Sequence, residues 1–368
     1  MTRIRIDPSL ALRDEPGTGH NRWHPGVEPI ARVAPGVELT LETRDGLDGQ
    51  LDRSSTAADL ASVRFGLSHP LTGPVFVEGA EPGDLLEIEI LGYEYAEVGI
   101  TAFLPGFGFL ADVFEEPYLV VWELADGVAR SPALPGVAIP ADPFAGVLGL
   151  APSLDSLAAA RAREEDLRAR GGLVAGDDPD DAWPPEAADG LRTIPPRETG
   201  GNLDIRQLVA GSKLFLPVEV AGALFSAGDL HFAQGDGEVC GSAIEVAGAV
   251  TVRFGLRKQP AWLPRFAAFE TPESRQRASY AATGIPLADD GTNAALDLNV
   301  AARRALLELI DYLQHVRGLT REAAYILCSV AADLRVSEVV DAPNAVVSAL
   351  LPLDVFEEPL EPVRDQPG

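Results

Sequence analysis

Between Gly201 and Glu245 the chain reads GNLDIRQLVAGSKLFLPVEVAGALFSAGDLHFAQGDGEVCGSAIE, and no other stretch packs so many chemically capable side chains between glycines. Asn202 and Asp204 come first, then Asp229 and His231, then Gln234, Asp236 and Glu238, and last Glu245. Asn202/Asp204 and Asp229/His231 are each two residues apart. On strands, residues i and i+2 share a face, so each pair would set two polar heads side by side, an arrangement able to hold a divalent cation. Catalytic zinc takes three protein ligands from His, Asp, Glu and Cys and keeps one position open for water. His231 is the nitrogen donor of the stretch, with Asp229 beside it. One carboxylate of the glycine-rich turn, Asp236 or Glu238, would complete the shell. The other would take a proton from water that the metal has acidified. Each signal has a plainer reading on its own. A D-x-H pair is common, GDGE is an ordinary acidic hairpin turn, and an oxygen-rich cluster could hold a structural calcium.

The elements that must position these residues read as short strands. Leu214–Leu216 and Ala223–Phe225 are apolar runs bounded by Gly and Pro. After the Pro35–Gly36 turn, Val37, Leu39 and Leu41 alternate with Glu38, Thr40 and Glu42; after Pro82–Gly83, Leu86, Ile88 and Ile90 alternate with Glu87 and Glu89. A short strand within residues 69–79, one over Tyr118–Leu124 and one over Ala247–Phe254 add to the count. Such density argues for a sandwich or barrel over a βαβ fold. The stretch Pro140–Ser153 is rich in small residues and could bring backbone close to a ligand, although a tight connection is its plainer reading. Helices are expected over Leu157–Arg170, over Asp297–Arg317 with Gly318 as its stop, and from the N-cap Thr320 through REAAYILCSVAADL, with Cys328 in its apolar face. A turn at Asp341–Asn344 and a strand over Ala345–Pro352 follow. His315 falls near a helix end, as a surface or capping residue. The acidic, proline-rich GDDPDDAWPPEAADG, including Asp177–Asp181, reads as a mobile surface insertion.

Composition narrows the function classes. A chain of 368 residues with 46% hydrophobic residues has ample material for a core, and 36 Gly with 30 Pro favour many turns. A formal charge of −27 excludes nucleic acid and an anionic membrane surface as partners. Two cysteines, Cys240 and Cys328, make no disulfide framework, which points to the cytoplasm. The N-terminus lacks an apolar core of signal-peptide length, and no run reaches the ~18 apolar residues of a membrane span.

Taken together, GNLD at Gly201, LPV at Leu216, GALFSAGDLHFAQGDGE at Gly222 and the following AIE resemble the acetamidase/formamidase family of amide hydrolases. HNRWHP near His20, HPLTGPVFVEGAEPGD from His69, GVLGLAPS from Gly146 and REAAYILCSVAADLRVSEVVDAPN from Arg321 extend the likeness over about residues 20–353. The FAQGDGEVCG wording, with His24 and His69, looks nearer the formamidase branch. The resemblance implies a mainly β (α+β) fold: a jelly-roll-like sandwich with added α/β elements and C-terminal helices. It implies hydrolysis of formamide- or acetamide-like substrates to acid and ammonia, zinc dependence with room for a second ion such as calcium, and a homo-oligomer (dimer or trimer). The corresponding organisation is an N-terminal extension over 1–19, a catalytic domain over 20–356 and a tail over 357–368. Within that domain lie a strand-rich part (20–153), a surface insertion (154–199), a metal and catalytic core (200–256) and a helical part (296–340). Mapped onto this chain, Asp204, Asp229 and His231 would hold the metal, and Glu238, with Asp236, would do the proton chemistry. Asn202, Gln234, Glu245, His24 and His69 would bind substrate or support the ligands. Phe103, Phe107, Phe225 and Phe232 are candidates for a tight acyl pocket, each with a place in the core as its plainer reading.

Two rival readings remain open to the sequence. One is a cysteine-nucleophile amidase using Cys240 with Glu238 and Lys213. The other is a non-catalytic jelly-roll module that binds a small ligand or calcium.

Overall fold

The alternation of apolar and charged residues becomes a six-stranded sheet, in the order Thr2–Ile4, Glu38–Thr43, Gly248–Arg257, Leu85–Tyr95, Lys213–Pro217 and Ala268–Glu270. The computed structural model describes residues 2–172, 174, 179–272, 277–288, 292–339 and 344–357. Most of the expected 341–344 turn, positions 175–178 of the acidic insertion and the tail beyond 357 lie outside the described residues. The chain is mainly β and forms two compact units. One comprises Met1–Ala96, Asp142–Phe232 and Glu245–Ser274; the other comprises Glu97–Ala141, Ala233–Ile244 and Arg275–Gly368.

In the first unit, one face of the six-stranded sheet is largely apolar. Leu39, Leu41, Leu86, Ile88, Ile90, Leu214, Leu216, Val250 and Val252 are fully buried, each contributing about 1.5–3 kcal/mol by leaving water. The other face carries a ladder of ion pairs: Arg253 bonds Glu38 and Glu89 (2.6 and 2.9 Å), and Glu87 takes Lys213 and Arg257 (2.7 Å each). A second sheet has Phe225–His231 at its centre, between Leu71–Val77 on one side and Phe144–Leu150 on the other. Gly200–Asn202 lies beyond the latter, and Glu245–Val246 pairs with the end of the central strand. Phe225 of this sheet meets Phe254 of the first edge to face, with ring centroids 5.1 Å apart.

Helix α1 spans Leu154–Ala169, starting three residues earlier than expected because Ser153 caps it, its side chain accepting from the Ser156 N–H at 3.2 Å. The described part of the acidic insertion is docked, against the expectation of a mobile loop. Asn21 takes the Trp183 N–H on its Oδ1 (2.7 Å) and donates to the Asp181 carbonyl (2.8 Å). Leu191–Arg192 then pairs with Arg22–Trp23. The expected strand over Ala223–Phe225 begins only at Phe225. Ala223 and Leu224 have positive φ (59° and 56°) in a tight turn, where Leu224 N–H bonds the Gly222 carbonyl.

The second unit holds the hairpin Val98–Phe103/Tyr118–Ala125 and an antiparallel sheet ordered Ser279–Gly284, Val346–Pro352, Asp333–Glu338. Helix α2, Leu298–Arg317, buries Ala301, Ala305, Leu306, Leu309, Ile310 and Leu313 as its period foretold, and ends at Gly318 in the left-handed region (φ 65°). His315 at its last turn is exposed, its Nδ1 2.7 Å from the Asp311 carbonyl. Helix α3, Arg321–Ala331, starts from Thr320 and is buried almost all round from Ala323 onward. It stops short of the expected end: Ala332 turns extended (ψ 140°), and Asp333–Glu338 leaves to pair with Val346–Pro352. Ladder bonding there prevails over the helical period of the sequence.

Candidate metal centre

Every residue of Phe225–His231 is buried, so any polar side chain on it is costly unless partnered. Asp229 and His231 both lie on this strand, yet simple alternation does not bring their heads together. Asp229 has φ 56°, a left-handed conformation uncommon for a non-glycine residue and found where surrounding structure enforces it. In the ladder it falls opposite Gly146, between the pairs Ala145–Leu230 and Val147–Gly228. His231 ends the strand, paired with Phe144 on one side and Glu245 on the other. The Phe144 ring stands edge-on to the imidazole, centroids 4.9 Å apart.

Asp204 reaches the same place from beyond Gly200–Asn202, not from a strand as the i, i+2 reading expected. The Gly146 carbonyl accepts from both Leu203 N–H (2.9 Å) and Asp204 N–H (3.2 Å), and Asp204 has φ 50°. Asn202 turns aside and donates to the Ile194 carbonyl at 3.1 Å.

The ligand-capable atoms of Asp204, Asp229 and His231 all lie within 4.8 Å of one another. His231 Nε2 is 3.2 Å from Glu245 Oε2 and 3.5 Å from Asp229 Oδ2, while its Nδ1 is 4.0 Å from Asp204 Oδ1. His69 Nε2 stands 3.8 Å from Asp229 Oδ2. The His231 nitrogens are buried and their contacts miss hydrogen-bond geometry among the described residues. Two donors on one tetrahedral zinc, each at 2.0–2.2 Å, stand about 3.4 Å apart. The two contacts of Nε2 match that spacing, so these residues fit a divalent cation. Two glycines leave the room. A Cβ at Gly146 would come within 2.6 Å of Asp204 Oδ1, 2.7 Å of Asp229 Oδ2 and 2.8 Å of His231 Cε1; one at Gly46 would come within 2.2 Å of Asp229 Oδ1. The small-residue stretch around Gly146 thus does bring backbone against the cluster.

Electrostatics ties the members together. Burial opposes ionisation of Asp229, but His69 and His231 outweigh it and hold the carboxyl below the usual carboxylate range. Burial likewise opposes protonation of His231, and Glu245 and Asp229 override it, keeping the imidazole well above its ordinary value. His69 is held low by burial, with His231 and Arg192 adding to the effect against Asp229. Asp45, which accepts from Leu47 and Gly49 N–H groups, is pushed up to about 6 by burial, with Glu245 adding to the shift.

His24 accepts from Gly26 N–H (3.0 Å) and faces Asp189 at 3.6 Å. Gln234, Asp236 and Glu238 belong to the second unit, where their loop is clamped to α3 and its C-terminal end. Tyr325 donates to the Val239 carbonyl and accepts from Leu110 N–H at 3.0 Å; Asp236 N–H donates to Asp333 at 3.2 Å. Glu238 sits there at φ 41°. Cys240, in the same loop, is buried with its thiol pushed up to about 11 by burial, and its N–H donates to Ser329 Oγ (3.1 Å). A buried thiol held above its ordinary range is a poor nucleophile, which speaks against the cysteine-nucleophile reading. Phe103, Phe225 and Phe232 are core residues, while Phe107 is 39% exposed. Sequence reasoning missed one polar pair, His20 Nε2 and Ser226 Oγ at 2.7 Å, both buried. Nothing in the chain around His20 signals a partner 206 residues away.

The chain thus combines a mainly β scaffold with a buried carboxylate–histidine cluster able to hold a divalent cation. The chain matches the model of the Acetamidase/Formamidase family over residues 5–358 and belongs to that family, whose members are amidases. It is 36% identical to an acetamidase of Mycolicibacterium smegmatis (88% of this chain, 87% of that protein). It is 34% identical to a formamidase of Methylophilus methylotrophus (100% and 96%). Its fold superposes with a TM-score of 0.94 on a γ-lactamase from Delftia acidovorans, at 34% identity, covering 99% of this chain and 95% of that one. Family membership makes the chain an amide-hydrolysing enzyme and sets aside the reading as a non-catalytic module.

Proposed function

We propose that this amidase cleaves short aliphatic amides, formamide and acetamide first, to the carboxylic acid and ammonia, using zinc held by His231, Asp229 and a further carboxylate. The observation that supports it most is the convergence of Asp204, Asp229 and His231 donors within 4.8 Å in a buried site. A bound cation would polarise the amide carbonyl and acidify a water there. His231 would present Nε2, with its ring oriented by Phe144. Asp229 would lend one oxygen, held in place by its left-handed backbone opposite Gly146. Asp204 and Glu245 compete for the third position, and Glu245 comes nearer to Nε2. The one that zinc leaves would serve a second ion such as calcium. The resemblance assigns Glu238, with Asp236, to accept the proton of the attacking water and deliver it to the leaving nitrogen. A homo-oligomeric state and a cytoplasmic location, with both cysteines free, belong to the same proposal. No helix among the described residues is long and apolar enough to cross a membrane.

Ammonia release from formamide and acetamide, before and after chelation and zinc restoration, tests the reading. Loss and recovery would support it; activity indifferent to complete metal removal would refute the metal. His231→Ala should lose bound zinc along with activity, and a fully loaded variant would end that ligand assignment. Glu238→Gln should keep the metal and lose turnover.

The likeness to the γ-lactamase favours a second reading, in which a five-membered cyclic amide is the better substrate. Ring opening yields an amino acid and no ammonia, so product analysis separates the two.

A further inference from the structure

Just after the acidic insertion, two buried cations face each other. Leu191–Arg192 pairs antiparallel with Arg22–Trp23, and Arg192 stands directly opposite Arg22. Directly opposed residues of an antiparallel ladder share a face. Both side chains are buried, Arg22 at 1% exposure and Arg192 at 6%. Two like charges on one face repel, and burial leaves little water to screen them. Arg22 donates to the carbonyls of Asn21 (2.8 Å) and Gly66 (3.3 Å), which sets it against the segment Gly66–His69. Arg192 reaches the same segment. Its neighbour Thr193 is fully buried, with an Oγ1 that accepts from His69 N–H (2.6 Å) and donates to the Ser68 carbonyl (2.9 Å). The Arg192 charge also acts on the His69 ring.

Two more polar atoms of this segment are buried and have no hydrogen-bond partner among the described residues: Ser68 Oγ, in a residue 2% exposed, and His69 Nδ1. A hydroxyl has a proton to donate, and a neutral imidazole can carry its own on Nδ1. Buried polar groups left in this state point to a bound ligand or water. Asp181, the buried acid against Gly66, has its Oδ1 engaged by Arg64 and 4.0 Å from Arg13. On its other side His69 faces the candidate metal centre, with Nε2 3.8 Å from Asp229 Oδ2.

We propose that Arg22, Arg192, Ser68 and His69 build a subsite for a small carboxylate anion beside the metal centre. A carboxylate matches the guanidinium fork, offers lone pairs to the hydroxyl and the imidazole, and offsets the repulsion of the two cations. An amide brings N–H donors of its own, which these donors cannot accept, so the subsite favours acid over amide. Given the proposed amidase activity, the occupant is the acid product, formate or acetate. That identity rests on the amidase reading, whereas the anion chemistry of the four residues does not.

Titration calorimetry with sodium formate on the full-length protein, metal in place and ionic strength constant, tests the subsite without turnover. The wild type should bind formate and acetate, with little competition from chloride. Arg192→Gln should weaken formate at least about tenfold. Ser68→Ala removes one hydroxyl, keeps the test valid if the ribbon does not tolerate the first change, and should weaken formate severalfold. Formate that binds both variants as tightly as the wild type would overturn the proposal, since the anion would then sit on the metal alone. So would a wild type that binds no formate, or one in which chloride competes as well as acetate does. Formate binding that depends on Arg192, in a protein that releases no ammonia from either amide, would uphold the subsite and count against the amidase reading.

Discussion

Gly146 organises the candidate centre more than any acid does. Its carbonyl anchors the Leu203–Asp204 turn, and its bare Cα lets two carboxylates and an imidazole close to within van der Waals distance. Gly146→Ala should cut activity at least ~100-fold, because displacements of about 1 Å at a reacting centre cost that much, and should lower bound zinc in parallel. Unchanged metal content by elemental analysis would show that the cluster tolerates the methyl. His20 supports a second prediction at this scale. Burial lowers its imidazole to about 4, against 6.5 in the unfolded chain. The unfolded state therefore binds more protons between those values, and stability is full above pH 6.5 and lost as pH falls towards 4. Between pH 7 and 5.5 the loss attributable to His20 is about 1 kcal/mol. His20→Gln should remove that increment, read as the difference between urea unfolding free energies at the two pH values.

The central strand and α3 do the positioning at the level of elements. Phe225–His231 sets two candidate ligands at its end by breaking its own alternation at Asp229, a departure the cross-strand environment of Gly146 permits. Helix α3 clamps the loop that bears Asp236 and Glu238 through the Tyr325 hydroxyl, which serves Val239 and Leu110 together. Tyr325→Phe leaves both backbone groups buried without that partner and should cost about 2–3 kcal/mol, measured by chemical denaturation. It should also reduce turnover, because the loop it clamps carries the proposed acid–base residue Glu238. Unchanged turnover in that variant would contradict the role given to the loop. Strand and helix identities were largely legible here from period and caps: Leu39/Leu41 and Leu86/Ile88/Ile90 went to the core, and Thr320 and Gly318 bounded their helices. The end of α3 was not legible, because ADLRVSE continues a helical pattern and only pairing with Val346–Pro352 draws it into a sheet.

For the whole molecule, the charge of −27 sets the solution behaviour. Self-repulsion opposes the compact state and is screened over ~10 Å at 0.1 M salt. The thermal midpoint should therefore rise by a few degrees as sodium chloride goes from low to moderate concentration, followed by scanning calorimetry. A midpoint that falls over that range would mean that the surface ion pairs, such as Arg253 with Glu38 and Glu89, outweigh the net repulsion.

Residue types and local order already determined much of this protein. The acidic and histidine donors of residues 201–245, the period-two strands and the family motifs are properties of neighbours in sequence, and they suffice for a β-rich amidase. The assembly of the centre was a tertiary decision. Asp204, Gly146, Asp229, Gly46 and Glu245 meet only because strands far apart in the chain pair in one register, and Glu245 gains its place by lying across from His231. Side chains on a strand are placed by backbone torsions and cross-strand partners. No spacing along the chain could reveal that Asp229 would turn left-handed, or that Cys240 would be fully buried.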